Sequence, residues 1–156
     1  MIALKKIESS DKSKFWNIFQ KYLYEITNYY DMDMDKLGNY EYKYFDSYFD
    51  DSVRTAVFIY DDGALVGFAM INDYSCLGDR IDYAVAEFTI FPQYRKRRLG
   101  MKTIQEIFAQ YHGRWEIKYS NMNKAAEALW TKAAKKYDPI LSSYGRTESV
   151  LSFVVV

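Results

Sequence analysis

The chain has 156 residues, enough for one domain with a core of its own, and its 21 basic residues balance 21 acidic ones. Zero formal net charge gives no long-range pull towards nucleic acid or an anionic membrane, so any anion site must be local. A single cysteine, Cys76, excludes an intrachain disulfide and a cysteine-based zinc cluster, and a single histidine, His112, leaves little for a histidine metal site or a Ser-His-Asp triad.

Ile2 to Ile7 alternates weakly and predicts a short strand. No apolar leader is visible there, and no run of membrane-spanning length occurs, which together suit a cytoplasmic chain without membrane contact. Ser9 and Ser10 stand as caps before a long amphipathic helix, in which Phe15, Ile18, Phe19, Tyr22 and Ile26 recur at helical spacing. The loop Asp31-Met32-Asp33-Met34-Asp35 mimics the start of a calcium loop. Lys36 and Tyr42 occupy the positions that demand glycine and glutamate, so no metal is expected. A second helical stretch then places Leu37, Tyr40, Tyr44 and Tyr48 on one face.

From there the pattern becomes β-prone. Thr55 to Tyr60 and Ala64 to Ile71 flank the hairpin signal Asp61-Asp62-Gly63, and a loose segment from Asn72 to Arg80 precedes a third run, Tyr83 to Phe91. After Pro92 and a basic turn, a helix beginning at Gly100 carries Ile104, Ile107, Phe108 and Tyr111 on one face until His112-Gly113 stops it. A strand from Arg114 to Tyr119 follows, then a helix with Ala126, Leu129, Trp130, Ala133 and Tyr137 in line, ended by Pro139. Ile140 to Tyr144 and Val150 to Val156 close the chain as a strand pair around Gly145-Arg146. The apolar tail could also pair across a homodimer. The expected fold is therefore α/β in the α+β sense, a mixed sheet with helices on both faces, with residues 1–156 forming a single domain.

Two features carry chemistry. The first is the basic turn Arg95-Lys96-Arg97-Arg98 between a strand and the helix entered through Leu99, Gly100 and Met101. A helix start presents unpaired N–H groups and a positive dipole end, which suits a pyrophosphate, although a basic turn can also be a solvated surface. The second is Glu87, set mid-strand amid apolar residues. Such a carboxylate is costly to bury unless it is hydrogen-bonded, ion-paired or functional.

The run from strand through Pro92-Gln93-Tyr94-Arg95 to Arg95-Lys96-Arg97-Arg98-Leu99-Gly100 resembles the acetyl-coenzyme A motif of the GNAT family of N-acetyltransferases. Trp115-Glu116-Ile117, then Asn123-Lys124-Ala125-Ala126 and Leu129-Trp130, resemble that family's next strand and helix. Their spacing is especially similar to a small bacterial branch. The resemblance implies a central, mostly antiparallel sheet of about six to seven strands and acetyl-coenzyme A as co-substrate. It implies that residues 95 to 101 cradle the pyrophosphate, while main-chain groups of Phe88 and Ile90 pair with the pantetheine arm. Glu87 would help deprotonate the amine, and Asn123 and Trp130 would lie near the cofactor.

Asn123 also reads as an ordinary helix N-cap, and Trp130 as core. Arg98 stands where the motif has its first glycine, and Trp130 where many members carry a tyrosine that protonates the leaving thiolate. The expected activity is acetyl transfer to a primary amine of a small molecule or protein. The three aspartates of the acidic loop, beside Tyr29, Tyr30 and Tyr40, could receive a cationic acceptor or form a solvated loop. The alternatives are a catalytically silent coenzyme A-binding module, suggested by Arg98 and Trp130, and a nucleic-acid-binding domain built on the arginine cluster. Zero net charge and the lack of interleaved aromatics argue against the latter.

Overall fold

The computed structural model describes residues 1–156. Seven strands, β1 (Ile2–Lys6), β2 (Thr55–Asp61), β3 (Ala64–Asn72), β4 (Tyr83–Ile90), β5 (Gly113–Ser120), β6 (Ile140–Tyr144) and β7 (Glu148–Val155), form one sheet. Their spatial order is β1-β2-β3-β4-β5-β7-β6, and every pairing is antiparallel except that of β4 with β5. The helices are α1 (Lys12–Ile26), a single turn α2 (Ser47–Asp50), α3 (Leu99–Gln110) and α4 (Lys124–Ala134).

Strand alternation divides the core into two layers. Val57, Ile59, Ala69 and Ile71 point to the side covered by α3 and α4, with Ile104, Ile107 and Trp130. Ala56, Phe58, Phe68 and Met70 point to the side covered by α1, where Phe15, Phe19 and Leu23 meet them. That second layer is dominated by aromatic edge contacts, such as Phe15 with Phe68 at 5.0 Å between ring centres.

Three expectations need correction. Ser9 and Ser10 do not cap α1; they lie in a 3-10 turn (Ser9–Asp11) whose entry is closed by reciprocal bonds between Glu8 and Asp11. The second helix shrinks to Ser47–Asp50. Upstream, the Asp35 carboxylate accepts the N–H groups of Leu37 and Asn39, and Gly38 takes a positive φ, so local bonds outcompete the helix. Tyr40 and Tyr48 are still buried, but Leu37 and Tyr44 are exposed. Gln20 on α1 clasps Tyr40 by both main-chain groups, at 2.8 and 2.6 Å, and so fastens this segment over the sheet. The third correction concerns the tail. β7 lies between β5 and β6, which pair one of its edges over Glu148–Val155 and the other over Glu148–Ser152, so only Phe153–Val155 keeps an open edge.

Two irregularities shape the middle of the sheet. β4 and β5 pair only from Tyr83↔Trp115 to Val85↔Ile117, after which each strand continues without the other. On its other side, β4 pairs Val85 with Ile71 and Glu87 with Met70, leaving Ala86 as the extra residue of a bulge.

A candidate active site between the parting strands

The opening between β4 and β5 is a cleft of about 1320 Å³, bounded by β4, β5, α1, the start of α3 and α4. The bulge decides what β4 presents to it. Val85 packs with the α3/α4 layer and Ala86 with the α1 layer. Uninterrupted alternation from Val85 would send Glu87 to the α3/α4 side. The extra residue shifts the phase by one, so Glu87 meets α1 instead.

There both carboxylate oxygens of Glu87 accept tyrosine hydroxyls. Tyr22 of α1 donates to Oε1 at 2.9 Å, and Tyr42 donates to Oε2 at 3.1 Å. Glu87 is mostly buried but keeps a surface open to the cleft. Burial raises its pKa from 4.5 to about 7, against the opposing pull of the two tyrosine hydrogen bonds and of Lys118 on β5. Burial and the adjacent carboxylate push the Tyr22 and Tyr42 hydroxyls far up, so both are donors at any ordinary pH. A carboxylate poised near neutrality beside an open cleft can take a proton from an incoming group.

At the other end of the cleft lies the basic turn. Its backbone is held by Lys96 and Arg98, both in the left-handed region, at φ 66° and 61°. Arg98 is the residue before α3, and its conformation explains why the motif favours glycine at this position. The main-chain N–H groups of Lys96, Arg97, Arg98, Leu99, Gly100 and Met101 have no acceptor in the protein, whereas that of Lys102 already bonds to the Arg98 carbonyl. Six consecutive free donors at a helix N-terminus form an anion cradle. The side chains of Lys96, Arg97 and Arg98 are solvent-exposed, with Arg97 lying over the Tyr94 ring. Gly100 faces inward, and a Cβ there would sit 3.4 Å from Leu129 of α4.

Arg95 departs from the expected role. Its guanidinium forms a two-pronged pair with Glu25 of α1, at 2.8 and 2.6 Å, and its Nε donates to the Ile90 carbonyl at 2.8 Å. Its own N–H bonds to the Pro92 carbonyl. The residue therefore ties the end of α1 to the end of β4, with most of its donors already engaged.

Phe91 donates its N–H to Val66 of β3, and the Thr89 carbonyl also faces β3, against Gly67. Alternation turns the main-chain groups of Phe88 and Ile90 to the side that β5 has left. The Ile90 carbonyl there is occupied by Arg95. Gly67 permits this arrangement, since any Cβ would collide with the Thr89 carbonyl oxygen. Asn123 caps α4, its Oδ1 accepting the Ala126 N–H at 3.1 Å. Trp130 is buried against Phe88, with ring centres 5.3 Å apart at 69°, and no protein group accepts its indole N–H.

The remaining wall, beyond Glu87, includes Tyr30, Met32, Glu41, Cys76 and Tyr144, while Tyr29 lines the cleft on the side of Arg95. Of the acidic loop only Met32 reaches it. Asp31 and Asp33 do not line the cleft, and Asp35 is engaged in its own turn, so the loop supplies no carboxylates to an acceptor there. No group of three or more His, Cys, Asp or Glu side chains is placed to hold a metal ion. Sequence reasoning missed Tyr22 and Tyr42 as partners of Glu87. The available signal was the buried glutamate itself, which required donors in a chain with 16 tyrosines.

The family model of the acetyltransferase (GNAT) family matches residues 13–134. Among solved structures, an acetyltransferase from Thermus thermophilus superposes with a TM-score of 0.73 at 15% identity, covering 99% of this chain and 97% of that one. An aminoglycoside acetyltransferase in complex with coenzyme A and kanamycin gives 0.70 at 10% identity, over 99% and 95% of the two chains. A spermidine N-acetyltransferase from Vibrio cholerae gives 0.65 at 10% identity, over 97% and 94%. No curated protein matches the chain in sequence.

Proposed function

The chain belongs to the acetyltransferase (GNAT) family of acetyl-coenzyme A-dependent acyltransferases, and on that premise we propose that it acetylates a primary amine by direct attack, with Glu87 as the base. We read residues 1–156 as one such domain. The observation that carries this reading is the placement, along one cleft, of six free backbone donors at one end and a carboxylate tuned to about 7 at the other.

Acetyl-coenzyme A fits the residues present. Its pyrophosphate would rest on the N–H groups of residues 96 to 101, and its pantetheine arm alongside the free main-chain groups of Phe88 and the Ile90 N–H, with Phe88 and Trp130 as an apolar wall. Arg95 is a positioning residue that holds β4 against α1, and Asn123 shapes the same wall by starting α4. The acceptor enters from the side of Tyr22 and Tyr42.

The amine nitrogen forms a bond to the thioester carbon as the carbon–sulfur bond breaks. The proton lost from nitrogen goes to the Glu87 carboxylate, and coenzyme A leaves as a thiolate that is protonated from solvent. No residue of the chain needs to act as general acid, because a thiolate is a good leaving group. This is why tryptophan is acceptable at position 130. Tyr22 and Tyr42 hold the Glu87 carboxylate and keep it from becoming a purely neutral buried acid. Holding both reactants in one cleft supplies most of the rate enhancement.

The test is thiol release from acetyl-coenzyme A with a panel of amines, for the native chain and for Glu87→Gln. Turnover that falls by about two or more orders of magnitude in the variant, with acetyl-coenzyme A affinity retained, supports the proposal. Tight coenzyme A binding without turnover on any amine would favour a silent binding module instead.

A further inference from the structure

Resting on the reading that Glu87 marks the acceptor end of the cleft, we infer that the acceptor is a small arylalkylamine: one ammonium group on a flat apolar body, not a polycation. The wall beyond Glu87 is built from Tyr22, Tyr30, Met32, Tyr42 and Tyr144. Three of those tyrosines have committed their hydroxyls to carboxylates, Tyr22 and Tyr42 to Glu87 and Tyr30 to Glu148 at 2.9 Å. Their polar ends are satisfied, so the rings serve as apolar and π-electron surface for a ligand.

The charge inventory limits the ligand further. Four carboxylates line the cleft, and two are already engaged: Glu25 by Arg95, and Glu116 by Ser75 and the Cys76 N–H. Glu87 and the exposed Glu41 remain. Nearby Glu148 is shared between Tyr30 and Lys118, and the aspartates of the acidic loop lie outside the wall. Lys118 is itself a cation on this side, close enough to influence Glu87 and stacked over Tyr144 at 5.2 Å. A ligand with several ammonium groups would have to place them against tyrosine rings and a lysine, with too few anions to match. A single ammonium between Glu87 and the rings, followed by an aromatic body, leaves only the exposed Glu41 to solvent. The structural relatives named above for kanamycin and spermidine share the fold, but this wall differs from what a polycation requires.

The experiment is steady-state acetyl transfer by the full chain from acetyl-coenzyme A to phenethylamine, tryptamine, spermidine, kanamycin and a lysine-containing peptide. The expected result is a kcat/KM for phenethylamine or tryptamine at least about tenfold above that for every other acceptor. The Tyr144→Ala variant removes a ring of this wall whose hydroxyl has no partner in the chain. It should raise KM for phenethylamine about fivefold or more while the Kd for acetyl-coenzyme A stays within about twofold. Spermidine, kanamycin or the peptide matching or exceeding the arylalkylamines overturns this inference and leaves the proposed acetyl transfer intact. An unchanged phenethylamine KM in Tyr144→Ala likewise overturns it. Absence of turnover with every acceptor, despite acetyl-coenzyme A binding, removes the proposed function and this inference with it.

Discussion

Replacing Tyr42 with phenylalanine removes one of the two hydroxyls that donate to Glu87 and leaves the ring in place. A hydrogen bond to a charged group contributes about 1.5–3 kcal/mol, and ~1.4 kcal/mol corresponds to one pH unit in a pKa. The Glu87 pKa, about 7 in the native protein, should therefore rise by about one to two units. The base must be ionised to act, so activity rises with pH through this pKa. Near pH 7 about half of the native carboxylates are ionised, against about one in ten or fewer in Tyr42→Phe. The rate near neutrality should consequently fall about fivefold or more and recover on the alkaline plateau. The assay is initial thiol release at subsaturating amine across the pH range, giving the acid limb of kcat/KM for the native chain and the variant. An acid limb that does not move, with activity lowered equally at all pH values, refutes the assignment of Glu87 as the titrating base. Such a result would mean that Tyr42 only supports the fold.

Glu87→Gln should stabilise the fold at alkaline pH. The gap between 4.5 and about 7 amounts to at most ~3 kcal/mol; the native chain bears none of it below about 4.5 and all of it above about 7. Melting temperatures of the two proteins should thus coincide in acid and separate by several degrees near pH 8. Arg98→Gly relieves a left-handed non-glycine residue and should change stability by about 1 kcal/mol or less, in the stabilising direction. Calorimetric titration should find its acetyl-coenzyme A affinity within about threefold of native, because main-chain donors hold the anion. Arg95→Met breaks the pair with Glu25 and the bond to Ile90, which denaturant unfolding should register as a loss of about 1–2 kcal/mol, small because the pair is partly solvated. Trp130→Tyr should leave kcat within about threefold, as stopped-flow or steady-state rates can show. A large increase would mean that protonation of the thiolate limits the native enzyme.

Most of the fold was legible because it is encoded locally. β-Prone runs bounded by turn signals gave all seven strands close to their observed limits, and the helical stripe from Phe15 to Ile26 gave α1. The stretch from Leu37 to Tyr48 misled, since its tyrosines are spaced as a helix would space them. They are buried by a turn and a clasp from Gln20 instead, and a hydrogen bond to a residue 20 positions away leaves no local periodicity. Arg95 misled for the same reason: a run of four cations looks alike in sequence, yet one of them is claimed by Glu25, 70 positions away.

The sequence by itself determined where the proposed cofactor cradle lies. A strand ending at Pro92, a turn and a helix start at Leu99 are consecutive, and free N–H groups follow from a helix beginning there at all. It also marked Glu87 as a carboxylate in need of a reason. Only the tertiary structure decided what that reason is. One extra residue at Ala86 turns Glu87 towards α1, and the hydroxyls that meet it come from 65 and 45 positions away. Backbone geometry within a turn is set by neighbours in the chain, whereas the partners and proton affinity of a buried charge are set by whatever the folded chain packs against it.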